Sequence, residues 1–118
     1  MGASFKDLVV WQRAIELSLE IYKLTAAFPS TEQYGLTSQM RRASVSIASN
    51  IAEGSGRASK GEFIQFLGHA RGSNCELQTQ LAIAEALGFG AKTAYEPAAR
   101  LSADVSRMLL GLTKGIRK

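Results

Sequence analysis

The chain has 118 residues, 46% hydrophobic and 20% charged, the composition of a folded globular protein and not of a disordered tail or fibre. At that length a single domain over residues 1–118 is expected. A net charge of +4 permits a polyanionic partner without demanding one, the single cysteine excludes an internal disulfide, and no apolar run approaches the ~20 residues that span a bilayer.

Apolar residues recur at alternating spacings of three and four, which predicts four helices and no strand. The first seam is Val10, Ala14, Leu17, Ile21, Leu24 and Phe28, closed by Pro29. Beside it runs a second apolar row, Leu8, Trp11, Ile15 and Tyr22, so this helix needs cover on more than one side and is a candidate oligomer interface. Ser30 with Gln33 resembles a capping box for a second helix, whose seam is Leu36, Met40, Ala43, Ile47 and Ile51 and whose end is set by Gly54-Ser55-Gly56. That helix is crowded with small residues, which invites another backbone close. Ser59 with Glu62 forms a second capping box, opening a long third helix marked by Phe63, Phe66, Leu67, Ala70, Leu77, Leu81, Ala84 and Leu87 and broken by Gly88 and Gly90. Gly68 and Gly72 inside it each cost about 1 kcal/mol relative to alanine, which suggests something packing closely there. The fourth seam is Ala94, Ala98, Leu101, Val105, Met108, Leu112 and Ile116, with Pro97 in or just before the first turn. Short connections between four such helices predict an all-α, antiparallel, up-and-down four-helix bundle.

The chemistry for catalysis is sparse. His69 and Cys75, the only residues of their kinds, fall about 120° apart on one helix and cannot form a dyad within one subunit. They are too few for a structural zinc site, so neither a metal nor a cofactor is expected. The segment Gly54–Gly61 gathers glycines and basic residues at a helix start but lacks the Lys-Ser/Thr ending of a P-loop, and an interhelical turn is the simpler reading.

Charge is distributed unevenly. From Val105 onward there are four cations, Arg107, Lys114, Arg117 and Lys118, and no acid. These either complement the end of a helix dipole or contact phosphates, and Arg57 and Lys60 can join them in the second case. Arg41, Arg42, Asn50, Glu53, Arg57, Arg71, Ser73 and Glu76 interrupt otherwise small or apolar surfaces. They suggest a buried or interfacial polar network, or arginines turned outward to bind polyanion. The opening Met1–Asp7 has no basic stretch followed by an apolar run, so no secretory leader is expected and the setting is read as cytoplasmic.

Four ordered blocks resemble a known family: Phe5–Gln12, Tyr34–Ala43, Ser49–Arg57, and Gly72-Ser73 with Glu76 and Gln80-Leu81. They are similar to the bacterial four-helix-bundle proteins encoded in intervening sequences of 23S ribosomal RNA genes. The resemblance implies homopentamers of antiparallel four-helix subunits, with Arg41, Arg42, Asn50, Glu53, Gly54 and Arg57 as motif positions and no catalytic motif to carry over. It extends to the accessory variability determinant of diversity-generating retroelements, a basic pentameric bundle that binds nucleic acid and a reverse transcriptase. The connection Gly90–Ala94 departs from the more apolar link such proteins suggest. The expected function is thus a non-enzymatic oligomer binding RNA or DNA. A scaffold for a reverse transcriptase or an RNA-processing partner is the alternative.

Overall fold

The computed structural model describes residues 4–118; Met1–Ala3, part of the stretch read for a leader, lie outside it. Four helices form: α1 (Val9–Thr25), α2 (Leu36–Ser55), α3 (Lys60–Ala86) and α4 (Tyr95–Arg117). Among the described residues there is no strand, and no helix is long and apolar enough to cross a membrane. Each helix packs on two others, in the order α1–α2–α3–α4 and back to α1. Positions rise along one helix as they fall along its neighbour: Ser46 meets Ser73 while Gly54 meets Phe63 and Phe66. Asn74 meets Ser102 between α3 and α4, and Arg41 meets Thr25 between α2 and α1.

The first seam is buried as the spacing predicts, but α1 stops at Thr25, ahead of Pro29. Its last turn tightens, with Ala27 N–H donating to Leu24 O and Phe28 N–H to Thr25 O. Phe28 leaves the helix and swings beneath Phe89, the ring centroids 5.6 Å apart. Gly90, at φ 75°, passes between Leu24 and Phe28, where an added Cβ would lie 3.1 Å from each side chain.

The Ser30–Gln33 box does not form. Ser30–Glu32 is a short 3-10 turn, and α2 begins only after Gly35, with Glu32 Oε1 accepting the Leu36 N–H at 3.2 Å. A carboxylate thus takes an orphan donor where α2 actually starts, beyond the Gln33 N–H that the Ser30 hydroxyl was expected to cap. The serine half of the other box forms: Ser59 Oγ accepts from Glu62 N–H at 3.1 Å, while the Glu62 carboxylate accepts from the Ser59 hydroxyl, also at 3.1 Å, instead of from its backbone N–H. Gly54 and Ser55 remain helical, and Gly56 caps α2.

Along α4 the buried row is Tyr95, Ala98, Ser102, Val105, Leu109 and Thr113. It lies one residue round from much of the expected seam, and Leu101, Met108, Leu112 and Ile116 flank it half-buried. The shift is allowed because the polar members are satisfied internally. Thr113 Oγ donates to Leu109 O, while Ser102 Oγ donates to Asn74 Oδ1 at 2.7 Å and accepts from Gln78 Nε2. Asn74, 1% exposed, also donates to Ser102 O, tying α3 to α4.

α2 and α3 approach closely at Gly54, where a Cβ would stand 2.6 Å from Phe66 Cβ and 3.0 Å from Phe63 Cδ1. Gly68 and Gly72 face open space, so no contact within this chain accounts for them. Gly54→Ala therefore gains at most about 1 kcal/mol of helix propensity against about 1–3 kcal/mol of overpacking. Urea denaturation should show it less stable than the parent, and Gly68→Ala more stable by up to about 1 kcal/mol.

Tyr95 supplies a pH test. Its Oη donates to Phe89 O at 2.6 Å, and burial, with the Glu85 charge second, raises its pKa above the ordinary 10.0. The neutral phenol is favoured in the folded state, so its stabilisation is complete below the ordinary value and lost as pH climbs through the raised one. Stability measured across that alkaline range should fall in the parent, and less steeply in Tyr95→Phe.

Candidate nucleic-acid interface

The connection Gly56–Ser59 joins α2 to α3 at the end of the molecule where α4 finishes. Asn74 and Ser102 set the α3–α4 register, and Lys60 lies fourteen residues before the first while Arg117 lies fifteen after the second. At about 1.5 Å per residue both are some 20 Å from that tie, so they share one level. Lys114 and Lys118 flank Arg117, and all four side chains are on exposed residues. Among the described residues no carboxylate comes within 4.0 Å of any of them, whereas Arg107 pairs with Asp104 at 3.1 Å and Arg57 with Glu53 at 3.7 Å. Arg107 also stands about 15 Å up the helix from Arg117. The structure thus brings Lys60, Lys114, Arg117 and Lys118 to one end, with Arg57 beside them in a weak pair and Arg107 apart.

The motif positions do not make one buried network. Arg42, Glu53 and Arg57 are exposed, and the Arg57 guanidinium lies 4.8 Å over the Phe66 ring. Asn50 Nδ2 donates to Ser46 O and Oγ, and Ser46 meets Ser73 across the helix pair at 3.0 Å. Gly54 is the point of close approach. These positions hold α2 on α3 by small residues and short polar links, because α2 comes too near for long side chains to intervene.

Arg41, on α2, reaches across to α1. Its Nε donates to Thr25 Oγ1 at 2.9 Å, an Nη to Tyr22 O at 3.4 Å, and the guanidinium stacks 4.5 Å over the Tyr22 ring. Thr25 Oγ1 in turn donates to Ile21 O. Beside this stack is an open recess of about 660 Å³, bordered by Tyr22, Tyr34, Arg41, Arg42, Gln33 and Ser38. The charge count along the sequence did not single it out, because Arg41 and Arg42 lie in a stretch of nearly balanced charge.

Of the second apolar row, Leu8, Trp11 and Ile15 are half-buried against the core, and Tyr22 is given to the arginine stack. The apolar surface left open is a neighbouring groove between α1 and α2, where Trp11 and Ile15 meet Leu19, Val45 and Ala48. Leu19 is 57% and Val45 43% exposed. Ser18 Oγ, buried at its edge, has no hydrogen-bond partner among the described residues. His69 and Cys75 are both exposed on α3, and His69 stands edge-on to Phe66.

Residues 6–111 match the family described as 23S rRNA-intervening sequence protein. No curated protein matches the chain. Among solved structures it is similar to a crystal structure from Bacteroides thetaiotaomicron VPI-5482, a protein of unknown function from the S23 ribosomal protein family. The two share 22% identity at a TM-score of 0.79, over 89% of this chain and 98% of that one. Such a likeness establishes the shared all-α fold, and with the match along most of its length the chain belongs to the 23S rRNA-intervening sequence protein family.

Proposed function

We propose that the chain is a non-enzymatic protein whose antiparallel, up-and-down bundle assembles into a homopentamer and binds RNA or DNA through phosphate contacts of low sequence specificity. The observation that carries this reading is the group of exposed cations without carboxylate partners at one end, Lys60, Lys114, Arg117 and Lys118. Arg57 and Arg107 are secondary contributors, since exposed ion pairs are worth at most about 1 kcal/mol and yield readily to a phosphate. The helix dipole of α4 also favours Lys114 and Arg117 in its last turn, but it does not account for Lys60, which stands in the first turn of α3, the end of a helix where a cation is disfavoured. Assembly multiplies a weak site: several subunits engaging one strand add their contacts at high effective concentration.

A second reading, a scaffold for a protein partner such as a reverse transcriptase or an RNA-processing factor, is favoured by the α1–α2 groove with Leu19 and Val45 exposed. The same groove supports self-association, and of the row Leu8, Trp11, Ile15 and Tyr22 only Trp11 and Ile15 line it.

Light scattering at micromolar concentration should give five subunits, and a stable monomer would remove both assembly and charge multiplication. No RNA should be turned over; reproducible turnover that vanishes in His69→Ala would overturn the non-enzymatic reading. Binding to long RNA or DNA should fall with salt, log K against log salt having a slope of about −0.9 per neutralised phosphate on duplex DNA and about −0.7 on single strands. Arg117→Gln with Lys118→Gln should flatten that slope and weaken all sequences alike. Absence of binding at low salt would leave the protein partner as the answer.

A further inference from the structure

We infer that the recess between Tyr34 and the Arg41–Arg42 pair is a second binding site, one that takes a single nucleotide unit of an unpaired strand, with the base on Tyr34 and the phosphate on Arg42. The inference rests on the nucleic-acid reading above but concerns different residues. Arg42 lies thirteen residues along α2 from Ser55, about 20 Å from the end that carries Lys60.

Three features point to this ligand. Tyr34 is 90% exposed, a large aromatic face in water next to guanidinium groups, and every base offers a face to stack on it. Arg42 is exposed at the recess wall with no carboxylate within 4.0 Å among the described residues, so its planar fork is available to a phosphate. Arg41 uses two of its five donors on Thr25 and Tyr22 O. It is held in place by the Tyr22 stack, so its remaining donors are presented without further loss of freedom. Gln33 and Ser38 add neutral hydrogen-bonding groups at the rim. Neither acid of this corner borders the recess: Glu32 is engaged with the Leu36 N–H, and Glu76, which shares the adjoining recess with Arg42, accepts from Gln80 Nε2. At about 660 Å³ the space is in the range of small-molecule sites. A duplex keeps its bases stacked on each other and cannot offer one to Tyr34, so the site discriminates for single strands, which the end cations do not.

The test uses the full chain in its native assembly and three probes: a short single-stranded oligoadenylate, the same strand in a duplex, and an abasic strand of equal length. Tyr34→Ala should weaken the single strand by about 5- to 150-fold, the worth of one stacked base. It should leave the duplex, the abasic strand and the salt slope unchanged. Tyr34→Phe should retain parental affinity, and since Tyr34 is exposed neither change removes core packing. Arg42→Gln should weaken the single and abasic strands together. Equal single-strand binding by Tyr34→Ala and the parent would overturn the inference while leaving the end cations as the interface. If the parent binds no strand of any kind, the proposed function fails separately. Adenosine monophosphate then decides the recess: a shift of the Tyr34 ring signals that Arg42→Gln abolishes sustains it, and no shift overturns it. Inorganic phosphate or phosphotyrosine acting at lower concentration than the nucleotide would also overturn the assignment.

Discussion

At Gly54 the backbone of α2 comes so near Phe63 and Phe66 that no side chain fits between the two helices. That approach sets the positions of much else. It fixes where α2 must end, how short the turn to Ser59 can be, and which stretch of α3 faces the buried residues Ala43, Ile47 and Ile51. It also leaves the outer edge of the pair free for short polar links, so Ser46, Asn50 and Ser73 meet where larger groups would wedge the helices apart. With α3 placed, the Asn74–Ser102 exchange brings in α4 at a defined register, because a slip by one residue would bury two polar groups without partners.

The arginines divide by what this frame does with them. Arg13, Arg57, Arg100 and Arg107 have a carboxylate one helical turn away and sit on the surface in pairs that contribute little to stability. Arg41 is drawn onto α1 by a hydroxyl, a carbonyl and an aromatic face, and works as a clamp between two helices. Arg42, its neighbour in sequence, borders the same recess from the side nearer α3 and is left in water. Adjacent and identical residues so become a structural contact and an open donor, because neighbours in a helix lie about 100° apart.

Much of this was legible from residue types and spacing. The α1 seam, the Ser59–Glu62 box and the glycine breaks at Gly88 and Gly90 are local signals with local causes, and each is found where its cause places it. The errors have a common origin in groups that satisfy themselves out of sight. Ser102, Thr113 and Asn74 are polar, so an apolar count passes over them, yet hydroxyl and amide bonds admit them to the core and turn α4 by one position. Glu32 displaced the expected serine cap because a carboxylate one turn back reaches the Leu36 N–H. The charged end could be anticipated from the acid-free run after Val105. The Tyr34 recess could not, since it depends on how α1 and the turn before α2 converge.

Thr25 joins two parts of the molecule that would otherwise be independent. Its hydroxyl donates into the last turn of α1 and accepts from Arg41, so one oxygen belongs both to the helix end and to the wall of the recess. Fraying of α1 from Thr25 backward releases the guanidinium as it breaks the helical bond, and a ligand that immobilises Arg41 resists that fraying. The corner formed by α1, Arg41 and Phe28 therefore behaves as one cooperative unit, and whatever occupies the recess would register as slower amide exchange at the end of the first helix.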